Sequence, residues 1–331
     1  MKILITGGGG FLGTEIIRQL KNLGHEVVAF GRSRYPHLEK MQVACIQGDI
    51  RKRQDVMNAI DKSFDAIIHS AAIVSPWGKW NDFYETNVQG CQWIVDACRQ
   101  NGIKILIHTS SPSAVFGVSD LEGVDEEQPY PQHYISHYAR SKGMAEAVIL
   151  GANILGQLHT VCMRPHLIMG PGDPNLLPRI LQKARSGRLL ILGNGHNKVD
   201  VVHVENAAYA HICALNSLIK TPELVCGKAY FIGQESAIEL WPFINEILSW
   251  VHLPAIRRKI PAKLAYVAAG MIEQVYKGLG IYRHEPPMTR FMAKQLSCSH
   301  YFNHQRAERL LGYKVLKNIP QLKQDLRQSL A

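Results

Sequence analysis

The sequence lacks several features that would mark a specialised class of protein. None of its seven cysteines (Cys45, Cys91, Cys98, Cys162, Cys213, Cys226, Cys298) forms a C-x-x-C pair, and their number is odd. That argues against a disulfide framework or a zinc centre, so no metal is expected, and the setting expected is reducing and cytoplasmic. No apolar run approaches the roughly 20 residues needed to span a bilayer. Residues 264–272 are apolar, but Lys263, Glu273 and Lys277 bound them. They read as a buried or substrate-facing helix, with an interfacial helix as the alternative. The first strand-like run begins at Lys2, so no leader peptide is expected. Internal repeats and low-complexity tracts are also missing.

What is present is an ordinary globular composition over 331 residues, 46% hydrophobic and 19% charged. Disorder would need fewer apolar residues. The net charge of +10 is unevenly placed: residues 257–331 hold fourteen Lys/Arg against four Asp/Glu, and the first 256 residues are balanced. Basic clusters serve anionic membranes, nucleic acid or acidic partners, and the plain alternative is a solvated face. No nucleic-acid-binding module accompanies this one, so nucleic acid is not an expected partner.

The N-terminal half alternates strand-like and helix-like runs, which predicts a parallel sheet with crossover helices. Strands are expected at Lys2–Thr6 and at residues 27–30, 43–46, 66–69 and 103–108. Leu12, Ile16, Leu20 and Leu23 share one helical face, and Gly24 ends that helix. Further helices are expected around 55–60 and 88–100. Beyond a strand at 160–164, Pro and Gly crowd residues 165–178, which read as mostly loop. A strand at 200–204 and a helix at 205–218 are expected to return to the main sheet. The fold class is therefore α/β, a Rossmann-type doubly wound sheet with a smaller, discontinuous C-terminal substrate domain. The dinucleotide domain would comprise 1–168 and 196–222, and the substrate region 169–195 and 223–331.

Thr6-Gly7-Gly8-Gly9-Gly10-Phe11-Leu12-Gly13 lies between the first strand and first helix. Glycines there let the backbone turn tightly and approach a pyrophosphate, whose charge meets the helix N-terminus. Strand, loop and helix in this order make a dinucleotide site far more specific than a lone glycine pattern. An NAD site places an acid at the end of the second strand, for the ribose 2′-hydroxyl. Here Gly31-Arg32-Ser33-Arg34 stands instead, and Glu26 lies at the strand's other end. Arginine pairs with a 2′-phosphate, so NADP(H) is the preferred cofactor, with NAD(H) as the alternative.

Tyr138 and Lys142 form a Y-x-x-x-K pair, four apart on one face of a predicted helix. A free phenol titrates near pH 10, and a neighbouring cation is expected to lower that value. Alone the pattern is common by chance. Its company is the run Thr109-Ser110-Ser111-Pro112-Ser113 at a strand's carboxyl end, where ligands of such sheets sit. A serine there can hold a carbonyl for hydride attack.

With these elements the sequence resembles the extended short-chain dehydrogenase/reductases over essentially its full length. The resemblance implies that Tyr138 transfers the proton, that Lys142 binds the nicotinamide ribose and tunes the tyrosine, and that a serine positions the substrate. Ser111 is the choice, with Ser113 as rival. It further implies cofactor contacts from Gly7, Gly10, Phe11, Leu12, Gly13, Arg32, Ser33, Asp49, Ile50, Ala71, Ala72, Asn87, Pro165 and Ile168. His133, His137 and His166 lie near these motifs and read as local hydrogen-bonding residues rather than a second base.

The segments Arg164-Pro-His-Leu-Ile-Met-Gly-Pro-Gly-Asp173, Asp200-Val-Val-His-Val-Glu-Asn-Ala-Ala-Tyr-Ala-His211 and Glu285-Pro-Pro-Met-Thr-Arg290 look like the 3β-hydroxysteroid dehydrogenase branch. Trp77-Gly-Lys-Trp-Asn-Asp-Phe-Tyr84 and the serine run look like bacterial 2-alkyl-3-oxoalkanoate reductases of long-chain olefin synthesis. The implied activity is reversible hydride transfer from NADP(H) to the 3-oxo group of a lipid-like acid. Sterol or dihydroflavonol-type dehydrogenases are the runner-up, and nucleotide-sugar epimerases or dehydratases stand further off. A dehydratase needs a carboxylate after its serine, where Pro112-Ser113 stands. A cofactor-sensing scaffold would lack a reactive residue, and this chain keeps all three types. Leu264, Tyr266, Val267, Met271, Ile272, Met288, Phe291 and Met292 are suited to lining a greasy pocket. The basic region is then expected to touch an anionic membrane or partner enzymes that hand over a lipid, and a homodimer is the other assembly considered.

Overall fold

The computed structural model describes residues 1–330. Strands β1 (Lys2–Thr6), β2 (Glu26–Gly31), β3 (Ala44–Gln47), β4 (Ala66–His69) and β5 (Ile105–Thr109) alternate with helices, as the periodicity predicts. β6 (Leu121–Val124) leaves for a smaller sheet, and β7 (His159–Pro165) returns. The main sheet has seven strands, in the order Lys228–Ile232, β7, β5, β4, β1, β2, β3, all parallel. Ile3, Leu4 and Ile5 are buried on both faces of β1, the mark of a sheet covered on each side by helices. Helix α1 (Phe11–Asn22) buries Leu12, Ile16, Ile17 and Leu20 against one face. The helix Gly90–Asn101 buries Cys91, Ile94, Val95 and Cys98 against the other.

Strand order reverses between β1 and β4, which opens a crevice beyond the strands' carboxyl ends. Residues after β1, β2, β4, β5 and β7 all meet there. The C-terminal lobe has its own core, built on Trp241, Phe243, Ile244, Ile247 and Leu248 with Leu322 and Leu326. Its four-stranded sheet runs Ile238–Glu239, Lys198–Val199, His300–Phe302, β6.

Several expectations need correction. The strand expected at 200–204 does not join the main sheet: Val202–His203 pairs only with Ile168–Met169. The helix Val204–Lys220 that follows does pack on α1 and the main sheet. The seventh strand comes instead from Lys228–Ile232, a segment expected in the substrate region. Tyr230 and Phe231 are fully buried there, which explains why so late a segment returns. Residues 165–178 are mostly loop, as expected, with a short strand at Ile168–Met169 and the start of a helix. The helix Leu176–Arg185 tolerates Pro178 in its first turn, where no intrahelical N–H is needed. Asp173 caps it, accepting from the backbone N–H groups of Asn175, Leu176 and Leu177 at 2.8, 3.1 and 2.8 Å.

The helix His137–Gly151 starts at Ser136, whose hydroxyl accepts from Ala139 N–H at 3.1 Å. One turn below Lys142, Glu146 forms a two-pronged pair with Arg164 of β7; the side chains are 0% and 3% exposed. Tyr130 donates to the same carboxylate at 2.7 Å. Removing one partner would strand a charge in the core, so Glu146→Ala is expected to cost about 3–5 kcal/mol in urea unfolding. A loss below about 1 kcal/mol would show that the pair is hydrated in solution.

Candidate active site

The glycine loop is built for close approach. Gly7 is left-handed (φ +70°), and a Cβ there would lie 2.7 Å from the backbone nitrogen of Ala71. At Gly13 a Cβ would lie 2.2 Å from the carbonyl oxygen of Gly7, so α1 could not pack against its own loop. Gly10 precedes α1 with no side-chain cap, and the first turn carries no acid. The helix's free N–H groups therefore suit an anion, and the residues fit a dinucleotide pyrophosphate.

At the end of β2, Arg32 and Ser33 are exposed, and Arg32 reaches the crevice. Glu26 stays at the opposite end beside Lys2, at 3.6 Å. Asp49 and Ile50 line the same part of the crevice; the Arg51 guanidinium, hydrogen-bonded to Asp49, holds that carboxyl below its usual range. Tyr35 carries a role that sequence patterns did not reveal. A Cβ on Gly9 would sit 2.3 Å from its ring, so the tyrosine covers the outer glycine loop.

Ser111, Tyr138 and Lys142 converge on this crevice together with Gly7, Gly10, Phe11, Leu12, Gly13, Ala71, Ala72, Pro165 and Ile168. Two expected cofactor residues do not line it. Ser33 points to solvent. Asn87 is buried in a π-helical turn (Tyr84–Gln89), where its side chain clamps the backbone of Ile73. Its Oδ1 accepts from Ile73 N–H at 2.8 Å; its Nδ2 donates to Ile73 C=O at 3.1 Å and to Ser141 Oγ at 2.9 Å. Asn87 thus ties the loop after β4 to the helix that carries Tyr138 and Lys142.

Lys142 Nζ donates to the Thr109 carbonyl at 2.7 Å. The Thr109 hydroxyl meets His211 Nε2 at 2.9 Å, and His211 Nδ1 lies 2.7 Å from the Ala207 carbonyl. Nδ1 therefore carries the proton and Nε2 accepts. Burial lowers Lys142 to about 8, with Cys91, Cys162 and Glu146 pulling the other way. Burial also raises Tyr138 above its ordinary range, opposed by hydrogen bonding with Ser111. The expected lowering of the phenol by the ammonium is not found: burial is the larger effect, and the ammonium turns to the Thr109 carbonyl. A raised phenol stays protonated at neutral pH, which suits a proton donor. Ser111 Oγ and Ser113 Oγ are 3.2 Å apart, and Ser113 N–H donates to Ser111 Oγ at 3.2 Å.

Behind Lys142 lies a buried group that sequence spacing hides: ligand-type atoms of His69, Cys91 and His108 come within 4.8 Å of one another. Burial pushes the Cys91 thiol up to about 12 and His69 down to about 3, so both are neutral.

The crevice continues into the C-terminal lobe as one cavity of about 1400 Å³. Ile272, Met288, Phe291 and Met292 line it, whereas Tyr266 does not, and Leu264, Val267 and Met271 face solvent. Helical period explains the split, since the last three lie on the face opposite Ala265 and Ala269. His137 bonds locally, at 3.1 Å from the Gly78 carbonyl, and His133 is exposed. His166 is different: it lines the cavity and contacts His300 at 2.6 Å.

A doubly wound sheet with this glycine loop and a Ser-Tyr-Lys group defines an extended short-chain dehydrogenase/reductase. Comparison with known proteins narrows the class. The chain belongs to the 3-beta hydroxysteroid dehydrogenase/isomerase family, whose pattern matches residues 4–259. It is 41% identical over 316 residues to a 2-alkyl-3-oxoalkanoate reductase of Stenotrophomonas maltophilia, covering 95% of this chain and 94% of that one. It is 38% identical over 332 residues to the 2-alkyl-3-oxoalkanoate reductase of Shewanella oneidensis, covering 98% and 85%. Among solved structures, UDP-glucuronic acid 4-epimerase from Bacillus cereus in complex with NAD shares the fold, with a TM-score of 0.75, 19% identity and 100% and 98% coverage. The chain is thus an NAD(P)-dependent oxidoreductase. No helix among the described residues is long and apolar enough to cross a membrane.

The folded pKa of Lys142, about 8, lies below the roughly 10.4 of an unfolded lysine. Above pH 8 the folded chain sheds this proton while the unfolded chain keeps it. Stability of the cofactor-free protein should therefore rise with pH through this window, by at most about 1.4 kcal/mol per unit. The buried thiols act oppositely above pH 9, so the quantity to measure is the stability difference from Lys142→Met between pH 7 and 9. A difference that does not change with pH would show that Lys142 titrates normally.

Proposed function

We propose that the protein reversibly transfers hydride between NADP(H) and the 3-oxo group of a lipid-like acid, a 2-alkyl-3-oxoalkanoate being the best match. The observation that carries this reading is the continuity of Tyr138 and Ser111 with a long apolar cavity. Past Tyr138 its walls include Phe243, Ile244, Ile247, Ile272, Phe291 and Met292, surfaces suited to alkyl chains rather than to a sugar. The relatives named 2-alkyl-3-oxoalkanoate reductase support the same substrate class.

A dinucleotide held by the glycine loop would supply or accept the hydride. The chain's own residues do the rest. Ser111 donates a hydrogen bond to the ketone oxygen and fixes its direction, and Tyr138 delivers its phenolic proton to that oxygen as negative charge develops. Lys142, held by Thr109, would bind the nicotinamide ribose, with Asn87 positioning the helix. Arg32 would pair with the 2′-phosphate, the nearby Asp49 carboxylate being engaged by Arg51. Lys183, half-buried on the cavity wall with Nζ donating to the Pro287 carbonyl at 3.1 Å, is a candidate counter-ion for the substrate carboxylate.

Tyr138→Phe should lower kcat by about 10²–10⁴-fold and leave NADPH affinity nearly intact, because only the proton is removed. Substantial remaining turnover would refute the assigned role. Arg32→Glu should cost about tenfold or more in NADPH affinity and spare NADH. Equal affinities for both cofactors in the unaltered protein would overturn the preference. NADPH oxidation should be fastest with 2-alkylated 3-oxo acids in a panel that includes simple 3-oxo acids, 3-ketosteroids and flavanonols.

A further inference from the structure

His166 and His300 meet where the two lobes join. His166 follows β7 at the carboxyl edge of the main sheet, and His300 opens the strand His300–Phe302 of the smaller sheet. Both are buried, and both line the cavity. Their protons can be placed from geometry. His300 Nε2 lies 2.8 Å from the Gln295 carbonyl, which can only accept, so Nε2 carries a proton. Burial holds both rings below the ordinary range of histidine, so neither takes a second proton near neutral pH. His300 Nδ1 is therefore a bare acceptor, and His166 Nε2, 2.6 Å away, donates to it. The remaining nitrogen, His166 Nδ1, must then carry a lone pair and no proton. It has no partner among the described residues, and it is not sealed in the core as the nitrogens of His108 are. It opens on the cavity.

The place of this lone pair is well defined. β5 and β7 are parallel neighbours with Thr109 opposite Met163, and Ser110 N–H donates to the Met163 carbonyl at 2.7 Å. Adjacent strands lie about 5 Å apart, so His166 flanks the serine run just beyond the sheet's edge. Its ring packs edge-on against Phe302, and that of His300 edge-on against Phe116, with centroids 5.6 and 5.5 Å apart. Leu167, the next residue, is left-handed (φ +44°), a conformation uncommon for leucine, and its carbonyl accepts from Val202 N–H at 3.3 Å. Backbone held in this way concentrates at ligand sites.

The chemistry of a bare imidazole nitrogen selects its ligand. A 3-oxo acid brings only acceptors, a ketone oxygen and a carboxylate, and the lone pair repels both. A nicotinamide dinucleotide brings donors at the adenine amine, the ribose hydroxyls and the carboxamide. Under the hydride-transfer reading the adenosine end lies at Arg32, and the nicotinamide ribose belongs to Lys142. The carboxamide remains, and the ring that carries it must lie beside Ser111 for the hydride to reach a ketone held there. We propose that His166 Nδ1 accepts a hydrogen bond from the carboxamide N–H of the nicotinamide, with His300 holding His166 in the accepting tautomer. His166 is thereby a specificity-determining residue for the reactive end of the cofactor, and His300 a positioning residue. The inference rests on the dinucleotide reading and adds to it a side-chain contact that fixes the ring's orientation.

The test is calorimetric titration of the full chain, without substrate, with NADPH and with its 3-acetylpyridine analogue, in which a methyl group replaces the carboxamide NH2. The NADH pair serves in the same way should NADH bind more tightly. The unaltered protein should bind NADPH about three- to tenfold more tightly than the analogue. His166→Phe should lose that margin for NADPH alone, so that the two ligands bind alike. His166→Asn, whose side-chain oxygen can stand at the Nδ1 place, should restore part of it. His300→Phe, which frees His166 to protonate Nδ1, should narrow the margin with His166 intact. Equal affinity of the unaltered protein for the two ligands overturns the inference, whether or not any variant folds. So does a margin that His166→Phe leaves unchanged, or a loss that falls equally on both ligands. Absence of binding by both NADPH and NADH would overturn the dinucleotide reading and this inference with it, whereas binding without discrimination leaves that reading standing.

Discussion

The pair between Glu146 and Arg164 joins the two elements on which the reactive groups depend. Glu146 belongs to the helix that carries Tyr138 and Lys142, and Arg164 to the strand that runs on into Pro165 and His166. In so dry a position neither charge is tolerable without the other, so helix and strand hold one relative placement. Tyr130 shares the carboxylate and Phe231 lies under the guanidinium at 4.9 Å, which leaves little freedom for the pair to re-form in another register. Asn87 and Thr109 extend the restraint to the loops after β4 and β5. The geometry of the site is thus set by polar contacts one layer beneath it.

That arrangement has an electrostatic consequence. The ammonium of Lys142 is buried and satisfied by a carbonyl, not by a carboxylate, so its charge is only marginally stable near neutral pH. The phenol of Tyr138, also buried, resists ionisation. Before any ligand arrives the phenol is therefore protonated, as reduction of a ketone requires, while the ammonium, lowered to about 8, still carries its charge at neutral pH. The neutral His69 and Cys91 behind Lys142 fit the same pattern, since a charge at either position would have no compensating partner.

Much of this could be read in the sequence, and the limits have physical causes. The glycine loop, Tyr138, Lys142 and Ser111 were legible because backbone geometry and proton chemistry dictate residue type at fixed spacing. Strands β1 to β5 were legible because apolar runs alternate with helical periods. The strand Lys228–Ile232 was not, since pairing across more than sixty residues leaves no local trace. Val202–His203 was misplaced because an apolar run of two or three residues does not say which sheet receives it. Asn87 was recognised as part of the site but not for its work, because a clamp on Ile73 is a contact between loops. Tyr35 has no motif at all: it matters only because Gly9 leaves a gap that its ring fills.

The eight C-terminal apolar residues show how a correct reading of composition can still misassign function. All were suited to a greasy pocket, yet the helix divides its own between the cavity and the outside. An amphipathic helix normally spends its apolar residues on the core and leaves charge outward. Here the inner face is built largely from alanines, which pack closely and leave room in the cavity, while Leu, Val and Met lie outward. Burial against this domain cannot be the reason those larger side chains are there, because the domain does not cover them. An apolar exterior of this extent costs solubility unless something else covers it.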